Sequence, residues 1–243
     1  MYLVIDAFNF LLIAAGASIK AGPKMMDVFD GLVMKMIQRL SYMFPGYEMI
    51  AVWDEFGGTD FRKNINSNYK SNRNSSFISI NEILSMKQMF STFNIQNISI
   101  PFTEADDVIY CLCKVLKEKD PQSMIEIISR DKDLLQVVQA GYADSVFDYT
   151  KKASIPIPQY SVVMYKSLVG DPSDNIKGVT GIGKKKAEKL LSEYIVTGKL
   201  DLTESQLEEF NECRSIIDSS LHPRFEENLT KLKEIYERSQ VDS

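Results

Sequence analysis

The sequence predicts an α/β region followed by an α-helical one, on three observations. Short apolar runs that end in acids alternate with stretches of helical periodicity, as in a parallel or mixed sheet covered on both faces. From about residue 158 onward only helical spacing continues. A turn punctuated by Gly178, Gly181 and Gly183 interrupts that helical part. The domains read from this are 1–157 for the α/β part and 158–243 for the helical part.

Tyr2-Leu3-Val4-Ile5-Asp6 is a short apolar run closed by an acid, which predicts a buried strand. Met25, Phe29, Leu32, Val33, Met36, Leu40 and Met43 recur at helical spacing and predict an amphipathic helix over roughly 24–44. Met49-Ile50-Ala51-Val52-Trp53-Asp54 repeats the first pattern. Residues 59–80 are rich in Asn and Ser, basic and poor in apolar side chains, so they are expected to be mobile. A helix is predicted from about 81 to 93, a strand at 95–100, a helix at 104–119, a strand at 124–129 and a short helix at 133–139. Ser145–Tyr149 and Ser154–Ile157 read as a hairpin around Lys151-Lys152.

At 243 residues the chain suits one large domain or a catalytic domain with a small appendage. Its 44% hydrophobic and 25% charged residues are ordinary for a globular enzyme. No apolar stretch is long enough to cross a bilayer, and Asp6 interrupts the apolar start, so neither a membrane span nor a signal peptide is expected. Cys111, Cys113 and Cys213 form no CxxC pair, which predicts reduced thiols and a cytoplasmic setting, the host cytoplasm for a phage-encoded chain. His222 is the single histidine, which excludes His-based catalysis and His-rich metal sites. A net charge of −5 excludes a simple DNA-coating protein. Basic residues nonetheless gather at Arg62, Lys63, Lys70 and Arg73, and at Lys177, Lys184, Lys185, Lys186 and Lys189. Two basic patches beside an acid-rich site suit a polyanion held at defined points.

In an open α/β sheet, ligands sit beyond the carboxyl ends of the strands. Four predicted strands end in acids or run into them: Asp6, Asp54, then Glu104, Asp106 and Asp107, then Asp131 and Asp133. Crowded carboxylates repel unless neutralised, and hard divalent cations with oxygen ligands are the usual remedy. Helix capping is the competing explanation: Thr103-Glu104-Ala105-Asp106 fits a capping box, and Asp131 or Asp133 fits the start of the next helix. Capping alone does not explain why acids recur at every strand end, so the pattern favours metal.

In Gly170-Asp171-Pro172-Ser173-Asp174, Asp171 as N-cap, Pro172 and Asp174 predict a helix start. Gly178, Gly181 and Gly183 then allow a tight turn and close approach of a phosphate to backbone N–H groups. Lys184, Lys185 and Lys186 open the following helix at its positive end. The glycine spacing is the reverse of a dinucleotide-binding loop, and an ordinary helical hairpin with a solvated lysine face explains the pattern less well.

With these motifs in order, the chain resembles the flap endonuclease / 5′-3′ exonuclease family, which includes the 5′ nuclease domain of bacterial DNA polymerase I and several phage exonucleases. The carriers are Val4-Ile5-Asp6, Trp53-Asp54, Phe61-Arg62, Tyr69-Lys70-x-x-Arg73, Glu104-Ala105-Asp106-Asp107, Asp131-Lys132-Asp133-Leu134 and Gly170-Asp171-x-x-Asp174-Asn175 through Gly183. They span Asp6 to about Leu191, and the acidic tail after Asp201 matches nothing usable. Ala7 stands where the family usually has Gly, and Ile13 or Ala14 where a basic residue is expected.

The resemblance implies a PIN-like α/β core with a mostly parallel sheet, and a helix–three-turn–helix DNA clamp at about 171–192. It implies two Mg²⁺ ions, with Mn²⁺ as a substitute: Asp6, Asp54, Glu104 and Asp106 mainly at one, Asp107, Asp131, Asp133, Asp171 and Asp174 at or around the other. A helical arch at about 60–85 would bring Arg62, Lys70 and Arg73 to the scissile phosphate. Gly178, Gly181, Gly183, Lys184, Lys185 and Lys186 would hold DNA, with K⁺ at the turn. The implied enzyme is a free-standing monomer that hydrolyses DNA at a 5′ flap, nick or 5′ end, or an RNA-primed DNA, in replication or repair. A non-catalytic junction binder of the same fold is the alternative. A small-molecule phosphatase would need neither the glycine turn nor the basic arch.

Overall fold

A computed structural model of the protein describes residues 1–20, 25–72 and 79–241. Along the chain run β1 (Tyr2–Asp6), α1 (Ala7–Lys20), α2 (Met25–Met43), β2 (Glu48–Val52), α3 (Asp60–Ile65), α4 (Ile80–Thr92), β3 (Gln96–Ile98), α5 (Ala105–Lys119), β4 (Ile125–Ile128), α6 (Leu135–Gln139), β5 (Ser145–Asp148) and β6 (Ala153–Ser154). Then come α7 (Val162–Val169), α8 (Lys184–Thr197), α9 (Glu204–Ile217), a 3₁₀ turn at Ser219–Leu221 and α10 (Phe225–Val241). They form two compact units. One comprises Met1–Phe56 with Ser76–Ile155, the other Gly57–Ser75 with Pro156–Ser243.

The first unit is built on one sheet of strand order β3-β2-β1-β4-β5-β6. All neighbours are parallel except the β5–β6 hairpin. Successive strand side chains face opposite sides. Leu3 and Ile5 of β1 accordingly join Ala51, Trp53 and Ile128 on one face, packed on Phe10, Leu11 and Ala14 of α1 and Val33, Ile37 and Leu40 of α2. Val4, Ile50, Val52 and Ile127 are equally buried on the other face, where α5 packs against β1 and β2. With both faces covered the strands read as continuous apolar runs. Ile5→Ala would leave a cavity at a cost of about 2–5 kcal/mol. The chain leaves β1 toward β2 on one side and β4 toward β5 on the other, so the strand order reverses at the β1–β4 pair. A crevice opens beyond the strand ends at such a reversal.

The second unit is helical. Leu168, Val179, Ile182, Ala187, Leu190, Leu191 and Phe210 make its main core. Of the segment expected to be a mobile arch, residues up to 72 belong here, whereas 79–85 belong to the first unit and open α4. Tyr69 is buried with Ile176, Cys213, Ile216 and Ile217, and Ile65 packs on them. Its asparagines form a hydrogen-bonded lattice: Asn66 Nδ2 donates to the Asn175 carbonyl (3.0 Å), Asn72 Nδ2 to that of Pro172 (3.1 Å), and Asn175 Nδ2 to that of Asn68 (3.1 Å). Few apolar residues are needed when side-chain amides satisfy loop backbone in this way.

The helix start expected at Asp171 is absent. Asp171 and Ile176 instead exchange backbone hydrogen bonds across a closed turn (2.8 and 2.9 Å). Asn175 takes a left-handed φ of 59°, which a continuing helix forbids. Gly170 (φ 78°) and Gly178 (φ 74°) meet back to back, and a Cβ on Gly178 would lie 2.3 Å from the Gly170 nitrogen. The helices flanking the glycine turn are therefore α7 and α8.

Candidate active site

Asp6 is the last residue of β1, at the reversal of strand order. Its Oδ1 accepts from the Asn9 N–H at 3.1 Å and its Oδ2 from Ser129 Oγ at 2.8 Å. Burial pushes the carboxyl up to about 7, and the negative charges of Asp54 and Asp131 push the same way, against the lowering effect of those two hydrogen bonds. Asp6, Asp54 and Asp131 thus act on one another, and like charge adds to burial in raising the Asp6 carboxyl.

Asp54 lies two residues beyond β2 and is exposed at the sheet edge. Its Oδ1 accepts from the Ala105 N–H at 2.8 Å. That N–H is an orphan donor of the first turn of α5, so a strand-end carboxylate holds the helix start. The N-cap of α5 falls one residue past the Thr103 expected to open a capping box. Glu104 is the N-cap and makes no side-chain cap bond. The Thr103 hydroxyl donates instead to the Pro101 carbonyl (3.4 Å). Glu104 is buried, Asp106 half-buried and Asp107 fully buried, so the three acids sit within the opening turn of α5.

Beyond β4, Ser129 Oγ links two acids, donating to Asp6 and accepting from the Asp131 N–H at 3.0 Å. Asp131 Oδ1 accepts from the Asp133 N–H at 2.9 Å, a turn closed by the side chain. Leu134 is the N-cap of α6 and makes no side-chain cap bond, so neither aspartate caps that helix in the expected way. Sequence reading missed Ser129 and Asn9. The one signal was a serine standing between a buried strand and an acid. The acids named at this edge offer only oxygen ligands, and burial with like charge pushes one of them, Asp6, up to about 7. Both features fit a hard divalent cation such as Mg²⁺ or Mn²⁺.

Asp171 and Asp174 lie in the second unit, and both are buried. Asp171 Oδ2 pairs with Lys166 Nζ at 2.6 Å, and its Oδ1 accepts from the Ser173 N–H and hydroxyl at 2.8 and 2.6 Å. Burial raises its pKa, but the Lys166 and Ser173 bonds outweigh burial and hold it below the ordinary value. The Asp174 carbonyl accepts from the Lys70 N–H at 3.0 Å. Lys70 has a left-handed φ of 54° and places its Nζ 5.0 Å from the Tyr69 ring centre. Arg62 departs from its expected role: it is buried, and its Nε donates to the Ile216 carbonyl of α9 at 2.7 Å. A guanidinium enclosed between the Phe61 and Tyr69 rings ties α3 to α9 and is not presented to a phosphate. Arg73 lies outside the described residues.

The glycine turn is braced from α9: Glu209 accepts from the Thr180 N–H (2.6 Å) and hydroxyl (2.9 Å). Gly181 (φ 75°) has open space where a side chain would stand, and Gly183 caps α8 with no side-chain bond to its first N–H groups. Lys184, Lys185 and Lys186 are exposed on that same first turn. Free backbone donors, a helix dipole and three ammonium groups coincide, which is what a phosphate recognises.

Comparison with known proteins agrees with this architecture. Residues 3–162 match the family model described as 5′-3′ exonuclease, N-terminal resolvase-like domain, and residues 157–240 the one described as 5′-3′ exonuclease, C-terminal SAM fold. The second match carries the likeness through the acidic tail, well past Leu191. A 5′-3′ exonuclease of Buchnera aphidicola is 30% identical over 222 residues, covering 87% of this chain and 72% of that protein. A DNA polymerase I of Caldicellulosiruptor bescii is 33% identical over 210 residues, covering 81% of this chain but 23% of that protein. A bacteriophage T5 flap endonuclease, solved as a pseudo-enzyme-product complex with DNA and metal ions, has the same fold, with a TM-score of 0.68, 19% identity and coverage of 97% and 99% of the two chains. Both halves of the chain are therefore matched, and the chain belongs to the 5′-3′ exonuclease family.

Proposed function

We propose that the protein is a divalent-metal-dependent 5′ nuclease that hydrolyses DNA phosphodiesters at 5′ flaps, nicks or RNA-primed ends during replication or repair. The observation that carries this is Asp6. Its buried carboxyl lies at the reversal of strand order with Asp54 and Asp131 acting on it, and a divalent cation would offset the charge these acids carry once ionised. Asp6, Asp54, Glu104, Asp106, Asp107, Asp131 and Asp133 would hold Mg²⁺, or Mn²⁺ in its place. Bound there, two such ions supply a water of lowered pKa and neutralise charge on the leaving oxygen.

The chain's own groups set the orientation. Ser129 fixes Asp6 relative to the 131–133 turn, and the Ala105 N–H fixes Asp54 against α5. A backbone N–H holds each of Asp6, Asp54 and Asp131, so little reorganisation remains when substrate arrives. In the helical unit, the glycine turn and Lys184–Lys186 would grip a duplex phosphate without reading bases, K⁺ binding at the turn carbonyls. Lys70 would serve the substrate phosphate. Asp171 and Asp174 enter as carboxylates whose loss lowers turnover.

The test compares labelled 5′-flap, nicked and RNA-primed substrates, with Mg²⁺ and with chelator. Cleavage that needs the metal and leaves 5′-phosphate ends supports the reading. Tight, structure-selective binding without cleavage under any metal would instead make the chain a junction binder.

A further inference from the structure

Two exposed phenylalanines stand on the loops that carry the strand-end acids. Phe56 is 90% exposed, two residues beyond Asp54, and Phe102 is 51% exposed, two residues before Glu104. The loops are joined twice. The Phe102 N–H donates to the Phe56 carbonyl at 3.2 Å, and the Ala105 N–H donates to Asp54 Oδ1 at 2.8 Å. The aromatic positions are thereby fixed relative to the carboxylates. Phe102 also holds a left-handed φ of 61°, a conformation that costs a bulky residue energy and that glycine adopts freely. Half of the Phe102 ring thus stays open to solvent on a left-handed backbone.

We propose that Phe56 and Phe102 form a stacking platform for a nucleobase of the strand whose phosphate lies at the carboxylate edge. This rests on the nuclease reading above and adds a positioning role to it. Two residues of extended chain reach at most about 7 Å, comparable to the reach from phosphate to base within one nucleotide. Stacking on an aromatic face tolerates every base, as a structure-selective enzyme requires, and is worth about tenfold or more in affinity or rate per base. A base laid on these rings would hold the neighbouring phosphate at the acids.

The experiment uses the full chain, Phe56→Ala, Phe102→Gly, and paired substrates with a normal base or an abasic site at the nucleotides flanking the scissile phosphate. Wild type should cleave the abasic substrate about tenfold more slowly, and each variant should lose most of that difference. Phe102→Gly relieves the backbone, so it should melt no lower than wild type while still losing the base preference. A purely structural role for the ring predicts the reverse. If wild type and variants share one ratio of normal to abasic rates, the platform is refuted while the nuclease reading stands. If no substrate is cleaved, that reading fails first. Quenching of 2-aminopurine placed at those nucleotides in a Ca²⁺ complex then decides the stacking, since quenching unchanged by Phe56→Ala refutes it.

Discussion

Asp6, at a strand end in the sheet unit, and Asp171, at a closed turn in the helical unit, are both buried aspartates, yet their surroundings act in opposite directions. Around Asp6, burial and two further carboxylates raise the pKa to about 7. Around Asp171, Lys166 and Ser173 overcome burial and hold the pKa low. Asp171 has Lys166 as its counter-charge, whereas the neighbouring charges that raise Asp6 are carboxylates.

The largest effect that would break this comparison is on catalysis. Asp131→Asn removes a charged oxygen from the sheet edge and should lower Mg²⁺-dependent cleavage by about 100-fold or more, with duplex affinity and melting temperature nearly unchanged. Normal turnover in steady-state kinetics would remove the metal assignment.

Stability should follow next, with opposite pH dependence in the two units. Asp6 has a raised folded pKa, so its contribution is full below about pH 4 and is lost as pH rises through about 7. Metal-free wild type should therefore lose stability from pH 5 to 8, and Asp6→Asn should lose less. Asp171 has a lowered folded pKa, so its contribution is present above about pH 4 and is lost as pH falls through the folded value. Lys166→Met should cost about 2 kcal/mol at pH 7 and flatten the acid limb. Thermal melts across pH 3–9 with chelator check both. Parallel limbs in the two variants would sink the distinction.

The smallest effect concerns DNA affinity. Replacing Lys184, Lys185 and Lys186 with Gln should reduce the slope of log affinity against log salt by about 2–3, since each phosphate contact releases about 0.9 counterion. The fold should be unaffected, because all three are exposed. An unchanged slope measured by anisotropy would mean that the turn does not touch DNA.

What the sequence disclosed follows from which forces are local. The acids at β1, β2 and β4 were legible because a buried parallel strand writes a continuous apolar run and its end is visible as the first charge. Helix α1 was not. Ala7–Ala15 is apolar on almost every side, so no face stood out to mark a period. Within the 59–80 segment expected to be mobile, the described part up to 72 is held by amide side chains and loop carbonyls about a hundred residues apart, which no local pattern announces. Arg62 is expected at the phosphate from the family resemblance, and the α9 carbonyl that its Nε meets is brought near only by the tertiary fold. At Asp171 the N-cap signature was real locally, but the opposed Gly170 and Gly178 close the turn before a helix can begin.

The central claim, that the sheet-edge carboxylates are completed by a cation, is tested most directly by calorimetric titration of Mn²⁺ into the metal-free protein. Titrations would be run at several pH values in buffers of different ionisation enthalpy. Because Asp6 titrates near 7, binding at pH 6 should release close to one proton and tighten as pH rises toward 8. In Asp6→Asn the proton release should vanish and the affinity should fall. Binding with no proton release and no pH dependence in wild type, or binding unchanged by Asp6→Asn, would contradict the account.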